Sequence, residues 1–176
     1  MDGVLIDHTA VKREVAAKFG LSLTPAQTPS DIMYRMLPLE NWHAVQHMLY
    51  DDPEYAFRSP VMAGVVPVLE TIARRNIPFV LISRRRQAEG AIRLLSERGL
   101  WPRFFNEKNT SFVRKPEDKN ARAAEWRVTH YIDDERRVLD ALVSVPNRFL
   151  FDPYRASSEE NKYPHLSGWP EFLHKL

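Results

Sequence analysis

Short apolar runs alternate with stretches of helical periodicity over the C-terminal two thirds of the chain. The apolar runs are rich in β-formers, and each ends at a polar residue; they are 78–82, 128–132 and 148–151. Apolar residues recur at helical spacing between and around them, over 64–75, 87–98, 116–126 and 135–143. Apolar strands that alternate with helices are typical of a parallel sheet buried on both faces. The pattern therefore predicts an α/β domain.

Two of these helices have core faces that can be named in advance. The helix over 64–75 is predicted to bury Val65, Val68, Leu69 and Ile72. The helix over 87–98 is predicted to bury Ile92, Leu94 and Leu95, and to stop at Gly99.

The segment 8–62 has a different pattern. Helical periodicity covers 10–19, where Gly20 ends it, and returns over 39–50, whereas prolines punctuate the rest and no strand pattern occurs. We interpret this segment as a small helical cap that is inserted into a core domain formed by 1–7 and 63–176. Near the C-terminus, 156–164 is predicted to be a loop and 169–173 a short closing helix.

Composition narrows the class of protein. The chain has 176 residues, 44% of them hydrophobic, which suits one domain with a real core. Its lack of cysteine excludes disulfides and a cysteine zinc site, and no run is apolar enough to span a membrane. The start lacks a signal-peptide pattern, so we expect a cytoplasmic protein with no membrane partner. The net charge of +2 is too small to argue for nucleic acid.

Polar residues follow the predicted strands at the edge where a parallel sheet binds its ligands. Ser83 ends the first apolar run and Arg84, Arg85 and Arg86 follow it, while Asp133 and Asp134 end the second and Asp152 ends the third. Asp2, Gly3, Lys115 and Lys119 complete the set. Carboxylates suit Mg²⁺, and a hydroxyl, a lysine and main-chain N–H groups suit phosphate. The sequence therefore predicts a site for a small phosphorylated molecule and a hard cation.

This ordered set resembles the haloacid dehalogenase-like (HAD-like) phosphohydrolases. Met1-Asp2-Gly3-Val4-Leu5 is similar to the end of their first motif, Asp-x-Asp-Gly, and Phe79-Val80-Leu81-Ile82-Ser83 to their second. Lys119 has the spacing of the third motif, and His130-Tyr131-Ile132-Asp133-Asp134 is similar to the fourth. Phe151-Asp152-Pro153-Tyr154-Arg155 and the early cap look most like the 5'-nucleotidase and deoxyribonucleotidase branch. The resemblance implies a Rossmann-like, three-layer parallel sheet with a small helical cap.

The resemblance also implies roles for single residues. Asp2 would be the general acid/base, and its main-chain carbonyl would help to hold Mg²⁺. Ser83, with Gly3 and Arg84 beside it, would bind the phosphoryl group, which Lys119 would steady. Asp134 would be a direct metal ligand, with Asp133 ligating or orienting.

One departure from the family pattern is serious. The family's nucleophile is the aspartate two positions before Asp2, a place that falls just before Met1, and the central strand that carries it is absent too. Taking Asp2 as the nucleophile puts Val4 at the acid/base position, and taking Asp7 puts Thr9 there. Either the sequence is an N-terminally shortened version or the protein is a relative that has lost its chemistry. We expect little or no turnover from this chain as written.

Simpler interpretations exist for several of these residues. Asp133-Asp134 and Ser83 can cap helices, Lys115 competes with Lys119, and Asp152 can merely end a strand. Arg84-Arg85-Arg86 can be a solvated helix start, and Asp51-Asp52 a turn. His43 and His47 have the spacing of helix-borne metal ligands, but no third ligand is evident.

The function expected from this set is Mg²⁺-dependent hydrolysis of a small phosphomonoester, such as a nucleotide, through an aspartyl-phosphate intermediate. The alternative is a non-catalytic phosphate-binding or regulatory relative. A basic nucleic-acid module is disfavoured, since no aromatic residues interleave the arginine run.

Overall fold

A computed structural model describes residues 1–85, 88–156 and 162–176. Arg86 and Gln87, from the arginine run and the predicted helix start, lie outside the described residues, as does 157–161 from the predicted loop. The elements follow in the order α1 (Thr9–Ala17), a 3₁₀ turn (Pro25–Gln27), α2 (Ser30–Met36), α3 (Leu39–Tyr50), α4 (Pro53–Ala56), α5 (Val65–Arg74), β1 (Leu81–Arg84), α6 (Ala88–Glu97), β2 (Thr110–Val113), α7 (Pro116–Glu125), β3 (His130–Asp133), α8 (Arg136–Ala141), β4 (Asn147–Phe151), β5 (His165–Leu166) and α9 (Trp169–Leu173).

The strands are parallel and lie between two layers of helices, so the predicted α/β class is confirmed. Successive residues of β1 point to opposite faces: Leu81 joins the cluster that contains α5, α6 and α9, and Ile82 joins the one that contains α7 and α8. In β4, Phe149 and Leu150 divide between the same two clusters. A core therefore lies on each face, as three layers require.

The strands form two groups instead of one continuous sheet. β1 pairs with β2, and β3 pairs with β4, which pairs with β5. Within the described residues no backbone ladder joins β1 to β3. The Tyr131 hydroxyl on β3 instead donates to the Ile82 carbonyl on β1 over 2.9 Å. A side chain thus bridges the two inner edges at the place where the resemblance put a central strand.

Most predicted helices are present within a residue or two of their expected ends. Val65, Val68, Leu69 and Ile72 are all buried, as predicted. In α6 the prediction was wrong for Ile92, which is only half-buried; Ala91 faces the core with Leu94 and Leu95. The sequence pattern missed α2, α4, β2 and β5, which are short or lack apolar alternation.

The helical segment after the opening turn has an apolar cluster of its own. Its buried residues all lie between positions 11 and 55, and Val15, Met33, Val45, Leu49 and Tyr55 are almost fully buried. The opening residues Met1, Val4, Leu5 and Ile6 pack instead with α5 and α9 in the larger cluster. The domain boundaries 1–7, 8–62 and 63–176 stay predictions. No helix within the described ranges has the length and apolarity to cross a bilayer.

Candidate active site

The opening residues form a tight turn that presents Asp2. The Met1 carbonyl accepts from the Leu5 N–H over 2.7 Å, and Gly3 has the left-handed φ of +73° that this turn requires. The indole of Trp169 on α9 donates to the Val4 carbonyl over 2.8 Å. The turn is therefore fixed to the core domain, and the position of Asp2 is fixed with it.

Both carboxylate oxygens of Asp2 are bound. Arg85 donates from Nε to Oδ2 over 3.0 Å and from Nη2 to Oδ1 over 2.6 Å, and His8 Nε2 lies 2.7 Å from Oδ1. Burial disfavours the charged carboxylate, but Arg85 and His8 outweigh burial and hold the pKa of Asp2 well below its usual range. Asp2 is thus an ionised carboxylate in this conformation.

His8 belongs to a buried chain of hydrogen bonds. Its Nδ1 lies 2.7 Å from the Ser59 hydroxyl oxygen, and the two residues are 2% and 0% exposed. Burial lowers the pKa of His8, although the bond to Asp2 opposes this, so the ring is neutral near pH 7. Since ionised Asp2 can only accept, His8 Nε2 donates to it and Nδ1 accepts from Ser59. This arrangement was not predicted from the sequence, because it joins residues 51 positions apart.

Arg85 also reaches the helical segment. Its guanidinium carbon lies 4.4 Å from the ring centroid of Tyr50 at the end of α3, and His8 meets the same ring edge-on. The interpretation of the arginine run as a solvated helix start is wrong for Arg85, whose side chain is 10% exposed, because Asp2 and Tyr50 enclose it. Its neighbour Arg84 lies 3.6 Å from Glu135.

Lys119 and Asp133 form a buried ion pair. Lys119 Nζ lies 2.8 Å from Asp133 Oδ2, and each residue is 5% exposed. Burial opposes the charge, but Asp133 keeps the pKa of Lys119 above its usual value. Asp133 Oδ1 accepts from the Glu135 N–H. Lys115 is exposed at the start of α7, so the structure places Lys119, and not Lys115, beside the acidic pair.

Asp134 packs directly against Gly3. A Cβ added to Gly3 would lie 2.1 Å from Asp134 Oδ2, so any side chain at this position would displace the carboxylate. Burial, with the carboxylates of Asp133 and Glu135, raises the pKa of Asp134 to about 7. Asp134 is therefore a half-buried acid in an excess of negative charge.

A cavity of about 1010 Å³ brings most of the predicted site residues together. It is lined by Asp2, Ser83, Arg84, Lys119, Asp133 and Asp134 from the opening turn and the strand ends. The helical segment covers the cavity with Tyr34, Trp42, His43, His47 and Tyr50. Gly3 lines a second cavity of about 400 Å³, which Asp134 also borders.

The donor set suits a divalent cation at one position. Within the described ranges no three His, Asp or Glu side chains are grouped as metal ligands, and no ion pair neutralises Asp134. Mg²⁺ commonly binds through one or two carboxylates and fills its other positions with water and substrate oxygens. Asp134, with the main-chain carbonyl of Asp2, fits that requirement, whereas the Asp2 carboxylate is taken by Arg85 and His8.

Other candidate residues have local roles. Asp7 accepts from the Thr9 N–H over 2.9 Å and borders the smaller cavity. Asp52 caps α4 by accepting from the Glu54 N–H. His47 lies 3.3 Å from Asp51, and both side chains are well exposed.

Sequence reasoning also missed Lys12. This residue of α1 is 5% exposed and donates to the Thr28 carbonyl over 2.9 Å and to the Ser30 hydroxyl over 3.2 Å. Burial lowers its pKa, against the opposing effect of Asp134 and Asp2. The sequence signal that could have indicated Lys12 is its place on the apolar face of α1, beside Val11 and Val15.

Solved structures share this fold at low sequence identity. Two that carry the name beta-phosphoglucomutase, from Thermotoga maritima and Bacteroides vulgatus, align over 99% of this chain with TM-scores of 0.65 and 0.60 and identities of 19% and 15%. A Had-superfamily hydrolase from Ehrlichia chaffeensis also aligns over 99%, with a TM-score of 0.59 and 13% identity. This chain covers 94%, 84% and 92% of those three chains, in the order given. Neither a protein-family model nor a curated protein sequence matches it.

Proposed function

We propose that this chain carries the substrate and metal site of a Mg²⁺-dependent phosphohydrolase that acts on a small phosphomonoester. The observation that carries the proposal is the convergence of Asp2, Ser83, Lys119, Asp133 and Asp134 on one cavity. These residues come from four parts of the chain: the opening turn, the end of β1, α7 and the end of β3. They meet beside the strand ends, where open α/β sheets bind ligands. The shared fold of the HAD-superfamily hydrolase supports the same conclusion.

Each of these residues has a task in phosphoryl transfer. Ser83, at the end of β1, donates to a phosphoryl oxygen, and Arg84 adds positive charge beside it. Lys119, held by Asp133, offsets the charge that develops on the phosphoryl oxygens. Asp134 would hold Mg²⁺ together with the Asp2 carbonyl, and the ion would neutralise phosphoryl charge when bound.

In this proposal Asp2 is the general acid/base. Its contact with Arg85 belongs to the resting state of the site, before substrate binds. A carboxylate that accepts three hydrogen bonds cannot deliver a proton to a leaving oxygen. An incoming phosphoryl group is a strong competitor for a guanidinium. We therefore expect Arg85 to turn from Asp2 to the substrate. Loss of that contact raises the pKa of Asp2, so that Asp2 can take up a proton from solvent. Asp2 would then give this proton to the leaving oxygen and, as the carboxylate, accept a proton from the attacking water.

The nucleophile of this chemistry is a carboxylate two positions before Asp2. The gap between β1 and β3 supports a place for the strand that would carry it, since Tyr131 alone bridges the two edges within the described residues. Without such a carboxylate the site would bind phosphate but would not turn it over.

A nucleotide is one candidate substrate. Tyr34, Trp42 and Tyr50 line the larger cavity and offer aromatic surface to a base. This branch assignment rests on the likeness of 151–155 to the 5'-nucleotidases.

A non-catalytic phosphate sensor is the second candidate function, and the Arg85–Asp2 contact favours it. In such a sensor, bound phosphate would draw Arg85 away from Asp2 without any reaction. Arg85 would then also leave the ring of Tyr50 and release the helical segment, and this release would be the signal. Phosphatase activity distinguishes the two candidate functions. A sensor would hydrolyse no phosphomonoester even when an aspartate is added two positions before Asp2.

Calorimetry of inorganic phosphate in Mg²⁺ tests the site shared by both candidates. We expect binding that weakens at least about tenfold in Ser83→Ala, the loss of one hydrogen bond to a charged group. Ser111→Ala is the matched control, since Ser111 lies on the neighbouring strand and does not line the cavity. Absence of phosphate binding, or equal weakening in both variants, would overturn the proposal.

A further inference from the structure

Lys12 is a buried ammonium whose hydrogen-bond partners are neutral. Its side chain donates to the Thr28 carbonyl and the Ser30 hydroxyl, and no described carboxylate lies within ion-pair distance of it. An ammonium has three N–H donors, so one remains after these two bonds. A buried charge without a counterion is costly and is typical of a functional site.

The position of Lys12 links the two cavities. Both cavities are bordered by Lys12, Asp31, Arg35, Asp134 and Arg137. Thr28 borders the smaller cavity and Ser30 the larger one, so the ammonium lies between them. Asp134 belongs to the proposed phosphoryl site and also borders the smaller cavity, so the smaller cavity adjoins that site.

Arg35 supplies a second cation to the same region. It lies in the last turn of α2, is exposed, and forms no ion pair with any residue that the structure describes. Arg137, by contrast, is held by Glu135 over 2.6 Å. Four carboxylates border the smaller cavity: Asp31 and Asp134, which also border the larger one, and Asp7 and Asp152. A ligand anion in the smaller cavity therefore needs the positive charge of Lys12 and Arg35 beside it.

We propose that the substrate is a phosphomonoester with a second anionic group on its leaving part, and that Lys12 and Arg35 bind this group. The inference rests on the proposed phosphohydrolase function. The second group is a carboxylate or a phosphate, because both accept from an ammonium and a guanidinium. A cavity of about 400 Å³ has room for the leaving part of a small molecule. A nucleoside monophosphate has an uncharged leaving part and would leave Lys12 without a counterion.

Two probes that differ in the second anion test the inference. Ethyl phosphate has the phosphoryl group alone, and phosphoglycolate adds a carboxylate at a similar size. By calorimetry in Mg²⁺, we expect phosphoglycolate to bind at least about tenfold more tightly than ethyl phosphate, the effect of one charge-assisted contact. In Lys12→Met this preference disappears while ethyl phosphate binds as before. Arg35→Gln reduces the preference, and Lys12→Arg retains it.

Lys18→Met is the matched control, because Lys18 directly follows α1 but borders neither cavity. Circular dichroism of each variant establishes that α1 is intact. Equal affinity of the two probes for the unmodified protein would overturn the second anion site and leave the phosphohydrolase proposal standing. Equal weakening of both probes in Lys12→Met would also overturn it, since Lys12 would then act on the phosphoryl group or on folding. Failure of both probes to bind would overturn both proposals.

Discussion

Arg85 holds both carboxylate oxygens of Asp2, with Nη2 2.6 Å from Oδ1 and Nε 3.0 Å from Oδ2. The same guanidinium lies over the ring of Tyr50 at the end of α3. One side chain thus connects the opening turn, the end of β1 and the helical segment. In the proposed mechanism it is also the group that must move before Asp2 can transfer a proton.

Replacing Arg85 by leucine should raise the pKa of Asp2. Burial would then act against His8 and the N-terminal ammonium, and loss of an adjacent arginine shifts a carboxyl pKa by about 1–3 units. A ¹³C carboxyl titration in Mg²⁺-free buffer measures the shift. Arg84→Leu is the control, since Arg84 contacts Glu135 and not Asp2. An unchanged Asp2 pKa in Arg85→Leu would contradict the contact.

The Arg85 contact should also make stability depend on pH. Because the pKa of Asp2 is depressed in the folded state, the contact stabilises above the unfolded pKa of about 3.9, and this contribution is lost as the pH falls through the folded pKa. Urea unfolding should therefore show the largest difference between Arg85→Leu and the unmodified protein near neutral pH. A difference that grows in acid would contradict this sign.

Comparing variants of Lys119 and Lys115 tests the buried ion pair between Lys119 and Asp133. Lys119→Met leaves Asp133 charged and buried, so we expect a loss of about 3–5 kcal/mol in the free energy of unfolding. Lys115→Met changes an exposed lysine and should stay within about 0.5 kcal/mol. The double variant Lys119→Met/Asp133→Leu should recover most of the loss, and urea unfolding measures all three. Equal effects at the two lysines would show that the pair does not form.

Alanine variants of Gly3 and Gly20 distinguish the effect of backbone strain from the effect of the contact with Asp134. Both have a positive φ, +73° and +77°, so alanine costs about 1–2 kcal/mol at either position. Nothing lies within 4 Å of a Cβ at Gly20, whereas a Cβ at Gly3 would collide with Asp134. Gly3→Ala should therefore lose about 1–3 kcal/mol more in urea unfolding, the cost of overpacking. Equal losses would place the Asp134 carboxylate elsewhere.

Ser59→Ala tests the buried chain from Ser59 through His8 to Asp2. The variant leaves His8 Nδ1 buried without a donor, and we expect a loss of about 1–3 kcal/mol in unfolding free energy. Ser96→Ala removes an exposed hydroxyl that bonds within α6 and should change stability by less than about 0.5 kcal/mol. Indistinguishable variants would contradict the hydrogen bond between Ser59 and His8.

The sequence predicts the parts of this fold that depend on local pattern. Helical periodicity located α3, α5 and α9, since an apolar face repeats with the helix turn. The strand β2 (Thr110–Val113) was not predicted because all its residues are only half-buried. The strand β5 was not predicted because it has only two residues. The order of strand ends placed Ser83, Lys119 and Asp133 at one edge, which parallel topology dictates.

The remaining site features depend on tertiary contacts between distant positions. Nothing local to Arg85 shows that it binds Asp2 from 83 positions away, and Ser59 meets His8 over 51 positions. The burial of Lys12 follows from the packing of 28–30 against α1, which contains too little apolar pattern to predict. Such contacts are set by the assembled fold, so the sequence predicts the site's acids and phosphate ligands but not what holds them.

The central claim is that Asp2 is the acid/base of a phosphohydrolase whose nucleophile stands two positions earlier. The most direct measurement is Mg²⁺-dependent hydrolysis of p-nitrophenyl phosphate by a chain extended with an apolar β-strand and an aspartate placed directly before Met1. We predict hydrolysis that Asp2→Ala lowers by about 10²–10⁴-fold, and none from the 176-residue chain alone. A folded extended chain without activity, or strong activity of the 176-residue chain that Asp2→Ala abolishes, would contradict the claim.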